Sequence, residues 1–267
     1  MSLHDAYARV TPFEFAFRDQ SRADQLVADV EEEARGRGAD VAAPHAFVTM
    51  GAVAGFVAEI EGPDAPVGAT HQYGALAFQG YHFTKASFPL YLLTTHAVRY
   101  LVEGSPGGVV SAPTPAGYLQ LPQHLFWTDS GQGPESVDGV FWTTTENGAL
   151  HALLASGVRS DGSGLGVVPL PEAPMADASD WLGLDARGDG RDFASDLPGA
   201  DIDGLYSVAS SGEVLKLLSR FWAYMEAVPD AAERSAPTTE VAAGDDGSQN
   251  ADPEPSALPY TRVTLSG

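Results

Sequence analysis

The pair Asn147-Gly148 constrains the fold of this chain more than any other feature. It separates Phe141-Trp142-Thr143-Thr144-Thr145 from Leu150-His151-Ala152-Leu153-Leu154, two runs of strand-forming and apolar residues. Asn-Gly accepts positive φ at both centres of a turn, so the spacing predicts a β-hairpin closed by a two-residue type I′ loop. Asp161-Gly162 repeats the signal between 153–160 and 163–169, and Tyr118 to Thr128 reads as a strand before both. Together they predict an antiparallel β-meander of about four strands, within the usual size of a sheet, over residues 118–170.

Helical periodicity frames this meander on both sides. Ala23, Leu26, Val27, Val30 and Ala34 recur at helical spacing over 19–35, with Ser21 and Asp24 as a capping pair and Gly36 and Gly38 as the stop. Residues 44–60 and 72–87 read as two further helices separated by Gly62-Pro63-Asp64-Ala65-Pro66. Leu90 to Leu93 reads as a short buried strand, followed by a helix capped by Thr95 and running to Glu103. The strongest helix is 211–228. Ser210 and Glu213 form a capping box, and Val214, Leu217, Leu218, Phe221, Trp222, Met225 and Val228 make a broad apolar face. The expected fold is therefore α+β: N-terminal helices, the antiparallel meander, and a long C-terminal helix packed on the sheet.

The domain organisation follows from composition. Residues 1–228 read as one compact body, and the irregular Pro-, Gly- and Asp-rich stretch 171–204 is anchored in it by Trp181 and Phe193. Residues 229–257 hold seven acids and one arginine and almost no large apolar side chains, which predicts a disordered acidic tail. Residues 258–267 alternate as a strand does and are expected to dock on the body.

The chain carries 36 acids against 14 bases, a net charge of −22, and its lysines are Lys85 and Lys216. The body alone holds 29 acids and 12 bases. A surface of this kind repels nucleic acid and anionic lipid. It resembles the composition of proteins adapted to high salt, where dense ions screen the self-repulsion. There is no cysteine, which excludes disulfides, thiolate metal sites and cysteine nucleophiles. No signal-peptide pattern is visible at the N-terminus, and the longest apolar stretch, 42–60, is too broken to span a membrane. The expected location is cytoplasmic.

Three groups of residues invite a chemical reading. A two-residue loop would pair Glu146 with Ala149, Thr144 with His151 and Trp142 with Leu153. Trp142, Thr144, Glu146 and His151 would then line one polar–aromatic face, suited to a small polar ligand or to acid–base work. Asp185, Asp189 and Asp196, with Gly190 between, imitate the first, fifth and twelfth positions of a calcium loop. Arg187 at the third position and Asp in place of the final Glu break the pattern. His124, Asp129 and Ser130 lie too close in sequence to be a triad assembled from separate segments, and no Gly-x-Ser-x-Gly elbow surrounds Ser130. No phosphate-binding or dinucleotide motif appears, and the sequence points to no cofactor.

The expectation is a non-catalytic protein-interaction or accessory protein of an acidic, salt-adapted cytoplasm, with another protein as its partner. The alternatives are a small-ligand-binding protein or enzyme using the 141–154 hairpin face, and a metal-dependent hydrolase.

Overall fold

A computed structural model describes residues 20–64, 67–103, 110–122, 125–129, 134–158, 165–184, 206–207, 211–235 and 260–263. The fold is α+β, a mixed sheet with helices on both faces. Helices α1 (Gln20–Arg37), α2 (Pro44–Val48), α3 (Gly51–Glu61) and α4 (Val67–Lys85) form the N-terminal layer. On the other face lie α5 (Thr95–Glu103), α6 (Ala178–Trp181) and α7 (Ser211–Ala227). The strands between them are β1 (Leu90–Leu93), β2 (Ala116–Gln120), β3 (Phe126–Asp129), β4 (Pro134–Thr144), β5 (Ala149–Val158), β6 (Leu165–Pro169), β7 (Ala173–Pro174), β8 (Tyr206–Ser207), β9 (Ala232–Ser235) and β10 (Tyr260–Val263). The main path runs β6-β5-β4-β2-β1-β10-β9, and β3 pairs with the far half of β4.

Alternation along each strand divides the core in two. Phe141, Leu153, Ala155 and Tyr118 face the N-terminal layer, where they meet Tyr73, Phe78 and Phe83. Val140, Trp142, Leu150, Ala152 and Leu154 face α7, where they meet Leu218, Phe221 and Trp222. The long C-terminal helix thus packs on the sheet as its apolar face predicts. Tyr91, Trp142, Phe221 and Trp222 form its central aromatic cluster, with ring centroids 5.3–6.1 Å apart.

Several local expectations are corrected. The segment 44–60 is two helices, broken at Thr49 and Met50. The break is satisfied from α1: Arg37 donates to the Thr49 carbonyl (2.7 Å), and the Glu33 carboxylate accepts the Gly51 and Ala52 amides (2.9 Å each). The cap of α5 is Thr94, not Thr95, because Thr94 Oγ1 accepts the Ala97 amide (3.3 Å). The expected strand 118–128 is divided at Leu121-Pro122, since proline cannot donate to a ladder.

At the C-terminal end, residues 229–235 form a 3-10 turn (Pro229–Ala231) and strand β9, where the sequence places the start of the acidic tail. The remainder of that segment, 236–257, lies outside the described residues. β10 inserts parallel to β1, pairing Tyr91 with Thr261 and Leu93 with Val263, and β9 closes the edge antiparallel to it.

Candidate functional site

The hairpin register decides the fate of the predicted polar–aromatic face. β4 and β5 pair Thr144 with Leu150, Thr143 with His151 and Trp142 with Ala152, one residue away from the two-residue-loop register. Gly148 has φ of 80°, whereas Asn147 is not among the residues with positive φ, so a type I′ turn is not formed. The Gly148 amide donates to the Thr145 carbonyl (2.9 Å), and Thr145 and Ala149 close the loop around Glu146, Asn147 and Gly148. A one-residue change of register moves side chains to the opposite face. Trp142 is therefore fully buried under α7, and Thr144 lies on its face. His151 points to the N-terminal layer, and Glu146 is exposed at the hairpin tip. The four residues do not converge on one site.

His151 joins a different cluster. Phe78 of α4 lies edge-on to both His151 (5.4 Å) and His82 (4.6 Å). His82 Nε2 donates to the Val41 carbonyl (3.0 Å). Gln79 donates to the His151 carbonyl (3.0 Å) and accepts from the Thr143 hydroxyl (2.8 Å), which stitches α4 to the hairpin. Burial pushes both imidazoles below the ordinary histidine range. Glu172, 3.9 Å from His151, opposes the shift there only weakly, because its carboxylate is largely in water. These side chains are mostly spent on packing α4 against β4 and β5.

The metal reading finds no support in the described part of the chain. Asp185, Asp189 and Asp196 lie outside the described residues, as do His124 and Ser130. Among the described residues, no group of three or more His, Asp or Glu side chains could hold a metal ion.

Two features escaped the sequence reading. The first is a row of buried charges on α7: Glu213, Lys216 and Arg220 are 1–3% exposed. Arg220 donates to the carbonyls of Leu101 (2.9 Å) and Val102 (2.6 Å), near the C-terminal end of α5, and of Leu182 (3.3 Å), just after α6. It ties the three helices of that layer together by capping carbonyls that a helix end leaves open. The signal was their helical spacing on the flank of the apolar face.

The second is a solvent-open groove of about 200 Å³ between α1 and α3, and it is the candidate functional site. The helices run antiparallel, tied by the Arg22–Glu59 ion pair at one end and by Glu33 on the Gly51 amide at the other. Arg22, Gln25, Leu26 and Asp29 form one wall, at helical spacing. Gly51, Ala52, Gly55, Phe56 and Glu59 form the other. The hollow exists because Gly51 and Gly55, four residues apart, put no side chain on that face. A Cβ built on Gly55 meets no atom within 4 Å, and Leu26 and Phe56 lie buried at the floor. The legible signal was Gly55 inside the helix and Gly51 at its first position, since a glycine in a helix interior costs stability and so asks for a reason.

Among the described residues, no helix is long and apolar enough to cross a membrane. No family model, curated protein or solved structure matches the chain.

Proposed function

We propose that the chain is a non-catalytic interaction or accessory protein of an acidic, salt-adapted cytoplasm, and that it binds another protein through the α1–α3 groove. The observation that supports this is the pair Gly51 and Gly55, which opens a hollow with an apolar floor between charged walls. An apolar anchor point inside a polar rim is how protein surfaces hold a partner segment. The groove offers no nucleophile with a neighbouring base, so it suits binding better than chemistry. The alternative reaction face at the hairpin loses its geometry with the register, because Trp142 and His151 lie on opposite sides of the sheet.

The test is a pull-down of the full chain from its own cell at that cell's salt concentration. Wild type and Gly55→Leu are compared, the variant extending a side chain into the hollow from an exposed position where an added Cβ meets no atom within 4 Å. A partner held by wild type and lost by Gly55→Leu supports the reading. A partner held equally by both removes the groove, and no partner for wild type removes the interaction function.

A further inference from the structure

The helices that form the groove carry more acid than base. α1 holds Asp24, Asp29, Glu31, Glu32 and Glu33 against Arg22, Arg35 and Arg37, and α3 adds Glu59 and Glu61. Much of this charge is engaged within the N-terminal layer. Glu59 meets Arg22, Glu33 meets Arg37, Glu31 meets Lys85 (2.8 Å), and Glu61 accepts the Tyr73 hydroxyl. Asp29 is different. It is exposed on the groove wall, and it accepts a hydrogen bond from the neutral amide of Gln25 (2.7 Å). No ion pair among the described residues balances its charge.

Resting on the groove as the binding site, we propose that its occupant is a cationic segment of a partner protein. A Lys or Arg is set against Asp29, and a neighbouring apolar side chain is lodged over Gly55. The two contacts divide the work. Charge selects the partner and excludes anionic segments, which the net charge of −22 also repels. An exposed ion pair alone is weak and is screened in concentrated salt. The apolar contact is not screened, so it supplies affinity under the conditions in which the acidic surface is at home.

The probes are a blocked Lys-Ala-Leu-Ala-Lys peptide and its Glu-Ala-Leu-Ala-Glu counterpart. Each is titrated into the full-length chain at about 0.1 M KCl, where a Debye length of about 10 Å leaves the Asp29 contact largely unscreened, while backbone amide shifts are followed by NMR. The proposal predicts saturable shifts at Asp29, Gly51, Ala52 and Gly55 with the lysine peptide and none with the glutamate peptide. Gly55→Leu abolishes them. Asp29→Asn weakens binding about threefold, the scale of one exposed ion pair, and Asp29→Lys weakens it further. Both positions are exposed, and unchanged melting temperatures confirm that the variants fold. Equal binding of the two peptides, no binding of the lysine peptide, or shifts that persist in Gly55→Leu would each overturn the cationic occupant. A cellular partner lost on Gly55→Leu, together with a silent lysine peptide, leaves the groove in place and removes only this chemistry.

Discussion

The indole of Trp142 fills the space that a side chain at Gly117 would need. The two residues are direct partners across β2 and β4, and a Cβ built on Gly117 overlaps the Cζ2, Cη2 and Cε2 atoms of the ring. The indole cannot retreat, because Tyr91, Phe221 and Trp222 pack around it and its Nε1 donates to the Thr114 carbonyl (3.1 Å). Gly117→Ala is therefore expected to cost about 1–3 kcal/mol, the range for overpacking a core. Adding Trp142→Phe, which removes the overlapping atoms, should recover part of that cost. Urea denaturation of the single and double variants measures the coupling, and additive costs would contradict the contact.

The C-terminal strand seals an apolar edge. β1 is buried along its whole length, and β10 covers the side of it that β2 does not. Val263 is fully buried in the core beneath α7. Deleting residues 258–267 should lower the melting temperature and leave β1 as an open edge that pairs with other copies. Light scattering during size-exclusion chromatography reads the association. A truncated chain that melts as wild type and stays monomeric would show that the strand is dispensable.

How much of this was legible in the sequence differs by residue. Leu26, Val30 and Ala34 announce α1, and Leu217, Leu218 and Phe221 announce α7, because a helical face repeats within a few residues. Register is harder. Asn147-Gly148 marks the hairpin correctly, but a glycine that takes positive φ alone gives a longer loop than Asn and Gly taking it together. That single torsional choice sends His151 to the face opposite Trp142. The pairing of Leu90–Leu93 with Tyr260–Val263 joins segments far apart in the chain, and no local pattern specifies a parallel partner. The groove was unread for another reason: Gly51 and Gly55 act by having no side chain, and their meaning depends on α1 lying opposite.

Acid should weaken the contact between α4 and the hairpin. Burial holds His82 and His151 below the ordinary histidine pKa, so on acidification the unfolded chain takes up these protons before the folded chain does. Their stabilising contribution is full above about pH 6.5 and is lost as pH falls below it, by at most about 1.4 kcal/mol per pH unit for each histidine. Urea midpoints at pH 7.5 and 5.5 should differ more for wild type than for His82→Gln with His151→Gln. An identical difference would contradict the assignment. Comparing the two proteins cancels the general effect of protonating the acidic surface.

Salt should stabilise the fold. With 29 acids against 12 bases in residues 1–228, self-repulsion opposes compaction, and ions shorten its range. The melting temperature is expected to be higher in molar KCl than in dilute buffer. Equal values across that range would remove the salt-adapted reading.

The α1–α3 groove, and not the hairpin, is proposed to carry the function. Replacing the chromosomal copy with Gly55→Leu or with Glu146→Gln/His151→Gln, and measuring growth against deletion of the gene, tests it most directly. Glu146 is exposed and His151 half-buried, and glutamine keeps hydrogen-bonding capacity at both positions while removing the titratable groups. Gly55→Leu is expected to grow as the deletion does, and the double variant as wild type. A double variant that behaves as the deletion while remaining folded, beside a fully functional Gly55→Leu, would contradict it. That result would return the active surface to His151 and its neighbours, where loss of an acid–base group costs roughly 10²–10⁴-fold in rate.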